Sequence, residues 1–278
     1  MIISMLLYRE ILRRTFFYVP FLYTINTREK GIKGIVSYIT KLPLMWLLLT
    51  VFDERFDAVR FLSAFFHFYS LYEFGYIYND CETIKKEIAP TLRVSKEDLE
   101  YYNDNKGYIY SFRCIVTVLL FYTLVLIGIK YEILAFTLLI PPVFFVYNSL
   151  RSKVNLYIHI ILMMLKHLTI IYITLNSFDA AFALFVLLYN PIPFYIELSV
   201  RGKFGYRNHI LQLLFIPEFN KYYVHRFRFL YQLSFLVVSI VFVTMGFFPK
   251  WFLLANVFYT LLMLVTFVLY GNRSITEL

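Results

Sequence analysis

Repeated apolar stretches of membrane-spanning length constrain the fold of this chain more than any other feature. They lie at 37–52, 58–78, 108–129, 131–149, 155–175, 178–197, 228–248 and 250–270. A transmembrane helix needs about 20 mostly apolar residues, and helices satisfy their own backbone hydrogen bonds in lipid. Charged residues make up only 16% of the chain, against about 25% in soluble domains. We therefore predict an all-α fold, a multi-pass transmembrane helical bundle that forms a single integral membrane domain over residues 1–278.

The first 30 residues leave the number of spans open between eight and nine. Residues 1–24 are apolar, but they include Arg9, Arg13 and Arg14. Arginines this close together suit a helix that lies at the membrane surface. We favour an N-terminal interfacial helix within 1–30, and an extra span is the alternative.

The distribution of lysine and arginine orients the spans. If the N-terminus is inside, most basic residues of the connecting segments also fall inside, which is typical of cytoplasmic loops. The outer segments then hold only Arg55, Arg60, Lys130 and Lys250. We therefore expect the N-terminus and two long polar loops, 79–107 and 198–227, to be cytoplasmic, and we favour a prokaryotic inner membrane. The same rule accounts for the net charge of +9 without a nucleic-acid partner.

A dense polar cluster at residues 79–93 follows directly on the span 58–78. If that helix continues through Glu87, then Glu73, Asp80 and Glu87 recur every seven residues near one face. Oxygen ligands at a helix end suit Mg²⁺, which usually shares its coordination with substrate phosphates. The candidate metal ligands are Asn79, Asp80, Thr83 and Glu87. The candidate phosphate-binding residues are Lys85, Lys86 and Arg93, since basic side chains bind phosphate oxygens directly.

An ordinary solvated helix end is the alternative for part of this cluster. Glu82 and Lys86 are four residues apart and would form a surface pair of about 0.2–0.5 kcal/mol. This alternative explains Asp80 less well, because Asp80 adjoins an apolar span. It does not explain Glu73, which lies deeper, where a charge is expensive.

A second polar cluster lies at the end of the span 178–197. Pro191 and Pro193 are expected to break or kink this helix, and freed carbonyls inside a membrane usually line a cavity. Glu197 is the one carboxylate of this cluster that is available to face the first cluster, and Asn190 offers an amide. The basic residues that follow are Arg201, Lys203 and Arg207. A kinked span with an interfacial glutamate and a basic loop is the alternative.

Lys166 lies near the middle of the span 155–175. A lysine at the bilayer centre costs about 2.5–3.5 kcal/mol on insertion scales, so something should compensate its charge. We expect Lys166 to line a cavity and to pair with Glu73 or with an anionic group of a substrate. Snorkelling to the interface is the alternative.

The first polar cluster resembles the first aspartate-rich motif of the UbiA-type intramembrane prenyltransferases. Asn79-Asp80 match the beginning of that motif, Thr83 and Glu87 occupy its later acidic positions, and Pro90 to Arg93 resemble its trailing proline–arginine segment. The motif also follows the second membrane helix in that family. This chain departs from the pattern with a threonine and a glutamate at acidic positions, and with one glutamate in place of a second aspartate-rich motif.

The resemblance implies a UbiA-like bundle that takes an isoprenoid diphosphate, or another phosphorylated lipid donor, with the help of Mg²⁺. On this hypothesis the catalytic residues are Asp80, Lys166 and Glu197. The diphosphate-binding residues are Asn79, Lys86, Arg93, Arg201 and Lys203. The expected partners are an isoprenoid or other lipid substrate and membrane lipids. The alternatives are a phosphoribosyl-type transfer to a lipid phosphate, a non-catalytic lipid-binding subunit, and a transporter or flippase.

Overall fold

Every regular element in the described part of the chain is a helix. The computed structural model describes residues 14–29, 31–86, 92–150 and 152–271, without the side chains of Lys86, Lys203 and Tyr270. The α-helices are α1 (Leu22–Arg28), α2 (Gly31–Lys41), α3 (Pro43–Thr50), α4 (Ala58–Cys81), α5 (Lys96–Leu126), α6 (Tyr131–Thr137), α7 (Ile140–Leu150), α8 (Asn155–Leu175), α9 (Ala180–Tyr189), α10 (Pro191–Val200), α11 (His209–Phe215), α12 (Lys221–Thr244) and α13 (Trp251–Gly271).

Seven helical segments of the described residues are long and apolar enough to cross a membrane. They are Gly31–Thr50, Lys96–Leu126, Tyr131–Leu150, Asn155–Leu175, Ala180–Val200, Lys221–Thr244 and Trp251–Leu269. This finding supports a multi-pass integral membrane protein. The predicted total of eight to nine spans stays a prediction, because α4, which contains the predicted span 58–78, is not among the seven.

Helix α4 lies in the middle of the bundle although it carries several polar side chains. It packs against α5, α7 and α8, and α1 covers part of it. His67, Ser70, Glu73 and Asp80 are buried along its length. His67, Glu73 and Asp80 bond to groups outside α4, and the Ser70 hydroxyl donates to the His67 carbonyl of α4 itself. These buried polar groups therefore have partners within the protein.

Both predicted polar loops are shorter than expected. Helix α5 begins at Lys96, well inside the predicted loop 79–107, because Ser95 caps it: the Ser95 Oγ accepts from the Asp98 N–H at 3.1 Å and donates to the Asp98 carboxylate at 2.6 Å. Ser95 is therefore the N-cap residue of α5. The predicted loop 198–227 contains α11 and the first turns of α12, which Asn220 caps through the Tyr223 N–H at 3.0 Å.

The described part of the N-terminal segment is folded against the bundle. Thr15–Phe17 forms one 3₁₀ turn and α1 has seven residues, too short for a span. Phe17 and Tyr23 are fully buried. Residues 1–13 lie outside the described residues, so the choice between an interfacial helix and an extra span stays open for them.

The predicted break in the span 178–197 is confirmed. Helix α9 ends at Tyr189 and α10 begins at Pro191, with Asn190 between them in a non-helical conformation. Proline is well suited to the first position of a helix, since its missing N–H would have no partner there. The Asn190 amide lies 2.9 Å from His167 Nε2, and His167 Nδ1 accepts from the Trp46 indole at 2.8 Å. These contacts connect the break to α8 and α3.

Gly75 allows α4 and α7 to pack closely. A Cβ at this position would overlap the Phe144 ring of α7. The Asn148 amide of α7 donates to the Gly75 carbonyl at 3.1 Å, so the two helices are also joined by a hydrogen bond.

We predict that Gly75→Ala lowers the thermal stability of the protein in detergent by about 1–3 kcal/mol, because overpacking forces the Phe144 ring to move. The double variant with Phe144→Leu should recover part of the loss. Gly107→Ala is a matched control, since a Cβ there meets open space. Equal unfolding temperatures for the Gly75 and Gly107 variants would contradict the close packing.

Candidate functional site

Two cavities inside the bundle share a wall. We call the first the arginine cavity, of about 730 Å³, after Arg28, Arg93 and Arg201 in its lining. We call the second the lysine cavity, of about 380 Å³, after Lys166 and Lys41. The residues that line both are Tyr72, Tyr76 and His159. A ligand that extends past this wall would therefore reach from one cavity into the other.

The arginine cavity lies at one end of the bundle, between the two predicted polar loops. Its lining includes Asn79 near the end of α4, Asn155 at the start of α8 and Arg201 after α10. The structure thus brings these two regions to the same end, as the sequence predicts. Aromatic rings form much of the remaining wall: Tyr72, Tyr76, Phe144, Tyr147 and Phe204.

Asp80 does not line the arginine cavity but holds two of its arginines. Its side chain is fully buried and forms ion pairs with Arg28 at 2.8 Å and with Arg93 at 3.3 Å. Oδ1 also accepts from the Asn79 amide at 3.1 Å, and Oδ2 accepts from the Tyr23 hydroxyl at 3.3 Å. A buried carboxylate needs such donors to offset its desolvation. Both oxygens of Asp80 are thus occupied.

The arginines that Asp80 positions keep hydrogen-bonding capacity. The Arg28 guanidinium stacks 4.1 Å from the centre of the Tyr76 ring, and its buried Nε has no hydrogen-bond partner among the described residues. Arg93 is about one third exposed, at 38% of its side chain. Arg201 is exposed beside the Phe219 ring.

The predicted face of Asp80, Thr83 and Glu87 does not form as one helix. Helix α4 ends at Cys81, and Thr83–Lys86 forms a tighter 3₁₀ turn, which changes the direction of the side chains. The Thr83 hydroxyl donates to the Asn79 carbonyl at 2.7 Å and to the Asn79 amide oxygen at 3.2 Å. Glu87 lies outside the described residues, as do the side chains of Lys86 and Lys203.

Glu73 is not the partner of Lys166. It is fully buried and forms an ion pair with Arg113 of α5 at 3.1 Å. It also accepts from the Thr24 N–H at 2.7 Å and hydroxyl at 2.8 Å, and from the Phe21 N–H at 3.0 Å. The N-terminal segment therefore closes over Glu73. Sequence reasoning missed this because it did not place residues 21–24 in the core.

Lys166 lies in the lysine cavity with no carboxylate at ion-pair distance among the described residues. It is 9% exposed, and its ammonium lies 5.4 Å from the Tyr38 ring centre and 5.9 Å from that of Tyr72. Aromatic faces attract a cation but do not neutralise its charge. Glu29 lines the same cavity, and burial raises its pKa against the opposing attraction of the Lys166 ammonium. Lys166 therefore lines a cavity, and its charge is available to an anionic ligand.

Glu197 is held by an arginine that the sequence did not single out. Arg228 of α12 donates to both carboxylate oxygens at 2.6 Å, a bidentate pair. Both residues line the lysine cavity. Glu197 therefore faces α12 and not the first cluster.

Glu82 belongs to the outer surface. Its ion-pair partners among the described side chains are Lys85 at 3.1 Å and Lys106 at 3.6 Å, and the predicted pair with Lys86 lies outside the described side chains. Burial would raise the pKa of Glu82, but hydrogen bonds from Lys85 and Tyr102 hold it below its usual value.

The expected Mg²⁺ site stays a prediction, because one of its four candidate ligands, Glu87, lies outside the described residues. No group of three or more His, Cys, Asp or Glu side chains in the described ranges could hold a metal ion. Asp80 is engaged on both oxygens, and Asn79 and Thr83 bond to each other. The cationic residues that surround these positions are instead suited to bind an anion.

Comparison with known proteins adds no family to this picture. No family model, no curated protein and no solved structure matches the chain.

We predict that Arg113→Met destabilises the protein by about 3–5 kcal/mol, because it leaves Glu73 as an uncompensated buried charge. The measurement is thermal unfolding in detergent. Lys85→Met is the control, since an exposed pair such as Lys85–Glu82 contributes at most about 1 kcal/mol. Adding Glu73→Gln to Arg113→Met should restore part of the stability; no restoration would contradict the ion pair.

Proposed function

We propose that this chain is a membrane-embedded transferase that moves a prenyl, or related, group from a diphosphate donor to an acceptor within the bundle. The observation that carries this proposal is the arginine cavity, in which guanidinium groups lie beside aromatic walls at one end of the bundle. A lipid diphosphate has the matching chemistry, with an anionic head and an apolar tail. The resemblance of Asn79 to Arg93 to the UbiA-type motif supports the same assignment.

The reaction would proceed across the shared wall. The carbon–oxygen bond of the donor breaks and its electron pair leaves with the diphosphate, whose charge Arg28, Arg93 and Arg201 stabilise. Preorganised donors that stabilise developing charge usually contribute more to catalysis than any other single effect. The faces of Tyr72 and Tyr76 would stabilise the allylic cation. An acceptor in the lysine cavity then forms the new bond to the allylic carbon, and the departing diphosphate takes up the proton that the acceptor loses.

Asp80 and Lys166 have distinct tasks in this proposal. Asp80 acts as a positioning residue, since it fixes Arg28 and Arg93 from behind the cavity. Lys166 binds an anionic or electron-rich group of the acceptor.

We propose a cytoplasmic location for the arginine cavity, in keeping with the basic residues at that end, and an inner membrane of a prokaryote. In this proposal magnesium takes no part in these steps, because Asp80 is engaged by Arg28 and Arg93.

A non-catalytic lipid-binding subunit is the second candidate. Glu73, Asp80 and Glu197 are each held by an arginine, and a carboxylate so engaged is a poor general base. Lipids that copurify with the protein, identified by mass spectrometry, would test both candidates. A lipid phosphate that copurifies but is never consumed favours the subunit, and no phosphorylated lipid at all contradicts both.

We predict that Lys166→Met lowers transfer by at least about tenfold, mainly through the KM of the acceptor, because loss of one charged hydrogen bond costs about 1.5–3 kcal/mol. Thermal stability should not fall, since an unpaired charge is removed from the interior. Lys166→Arg should keep part of the activity. An unchanged KM in Lys166→Met would exclude Lys166 from the acceptor site.

We predict that Asp80→Asn lowers kcat more than it raises the donor KM. The arginines remain present in this variant, but they lose the anion that orients them for the leaving group. A steady-state assay with varied donor separates the two constants. An unchanged kcat would contradict the positioning role.

A further inference from the structure

Among the described residues, the lining of the arginine cavity contains three arginines and no carboxylate. Arg28, Arg93 and Arg201 line it, and the rest of its described lining consists of aromatic, amide, histidine and apolar residues and one glycine. A divalent cation in such a cavity would meet positive charge and only neutral ligands. Mg²⁺ in proteins is usually bound through one or two carboxylates and the substrate phosphates.

The carboxylate that holds two of these arginines is itself engaged by the protein. Asp80 is 1% exposed and receives hydrogen bonds from Arg28, Arg93, Asn79 and Tyr23. For Asp80 to bind a metal, both arginines would have to leave a buried anion.

The net charge of the three arginines and Asp80 is suited to bind a diphosphate without a metal ion. Three guanidiniums against the one Asp80 carboxylate leave two positive charges at the cavity. Guanidinium groups bind phosphate oxygens in planar, bidentate geometry. Arg28 also has a buried Nε without a hydrogen-bond partner in the described residues.

We infer that the arginine cavity binds the diphosphate of a lipid without a divalent metal, with Arg28, Arg93 and Arg201 in the place of the cation. This inference rests on the proposed function, because it concerns the same donor. In it, Asp80 organises an anion site and is not a metal ligand.

The test is calorimetric titration of the full-length protein in detergent with farnesyl S-thiolodiphosphate, whose bridging sulfur slows cleavage. The titration is run with excess EDTA and, separately, with magnesium. We expect the two Kd values to agree within about threefold, a difference of ~0.7 kcal/mol. Binding that requires magnesium would overturn the inference and leave the proposed function intact. No binding under either condition would contradict the proposed function itself.

Arginine variants identify the binding groups. In EDTA, Arg201→Gln and Arg93→Gln should each weaken binding by about tenfold or more, as expected for charged hydrogen bonds. Arg201 has no contact with Asp80 in the described structure, so its variant tests the site even if Arg93→Gln unfolds. Arg60→Gln, at the opposite end of α4, is the matched control and should bind as the parent does. Unchanged binding in Arg201→Gln and Arg93→Gln would overturn the inference.

Two further ligands and one variant separate the remaining explanations. Farnesol should bind more weakly than the thiolodiphosphate in EDTA, and equal affinity would overturn recognition of the phosphates. Inorganic pyrophosphate should also bind more weakly, since it lacks the tail. Equal pyrophosphate affinity would support the arginine site and contradict the lipid donor.

Asp80→Asn should retain binding in EDTA within about tenfold, because the arginines persist. Complete loss of binding in a folded Asp80→Asn protein would overturn the inference.

Discussion

The cost of removing a charge from water governs the interior of this bundle. Glu73, Asp80 and Glu197 are buried, and each is paired with an arginine from a different part of the chain. Arg113 reaches Glu73 from α5, Arg28 reaches Asp80 from the end of α1, and Arg228 reaches Glu197 from α12. Because an unpaired buried ion is strongly destabilising, these pairs fix how the N-terminal segment, α4, α5, α10 and α12 can pack. These ion pairs fix the positions of the helices along one another, which apolar contacts alone specify poorly because they are non-directional.

The same pairing decides what the cavities can bind. Because Glu73, Asp80 and Glu197 are each paired with an arginine, the remaining net charge of the two cavities is positive. It lies on the arginines of the arginine cavity and on Lys166. Lys166 differs from the arginines because the described residues give it aromatic neighbours and no ion pair. A positive interior next to tyrosine and phenylalanine walls matches the chemistry of the anionic lipid that we propose as the donor.

The sequence predicted the helical class and the break before Pro191, since apolar length and proline chemistry are local properties. It also predicted that the regions around Asn79 and Arg201 lie at one end of the bundle, because the spans between them alternate in direction. It did not predict the partners of Asp80 and Glu73. Residues 21–28 looked like a surface segment, and nothing local indicates that Thr24 and Arg28 fold back onto α4. Arg228 was missed for the same reason: its pairing with Glu197 depends on how distant helices pack.

Helix α4 carries a consequence for how the protein is made. Its buried polar side chains, among them His67, Glu73 and Asp80, make it a poor candidate for spontaneous partition into lipid. Its neighbours supply the groups that neutralise it: Arg113 lies on the next long helix, whereas Arg28 precedes it in the chain. Helix α4 therefore becomes stable in a bilayer only when α5 and the N-terminal segment are beside it, so these three elements should enter the membrane as one unit. Their order in the chain, with α4 between its two partners, brings them together early in synthesis.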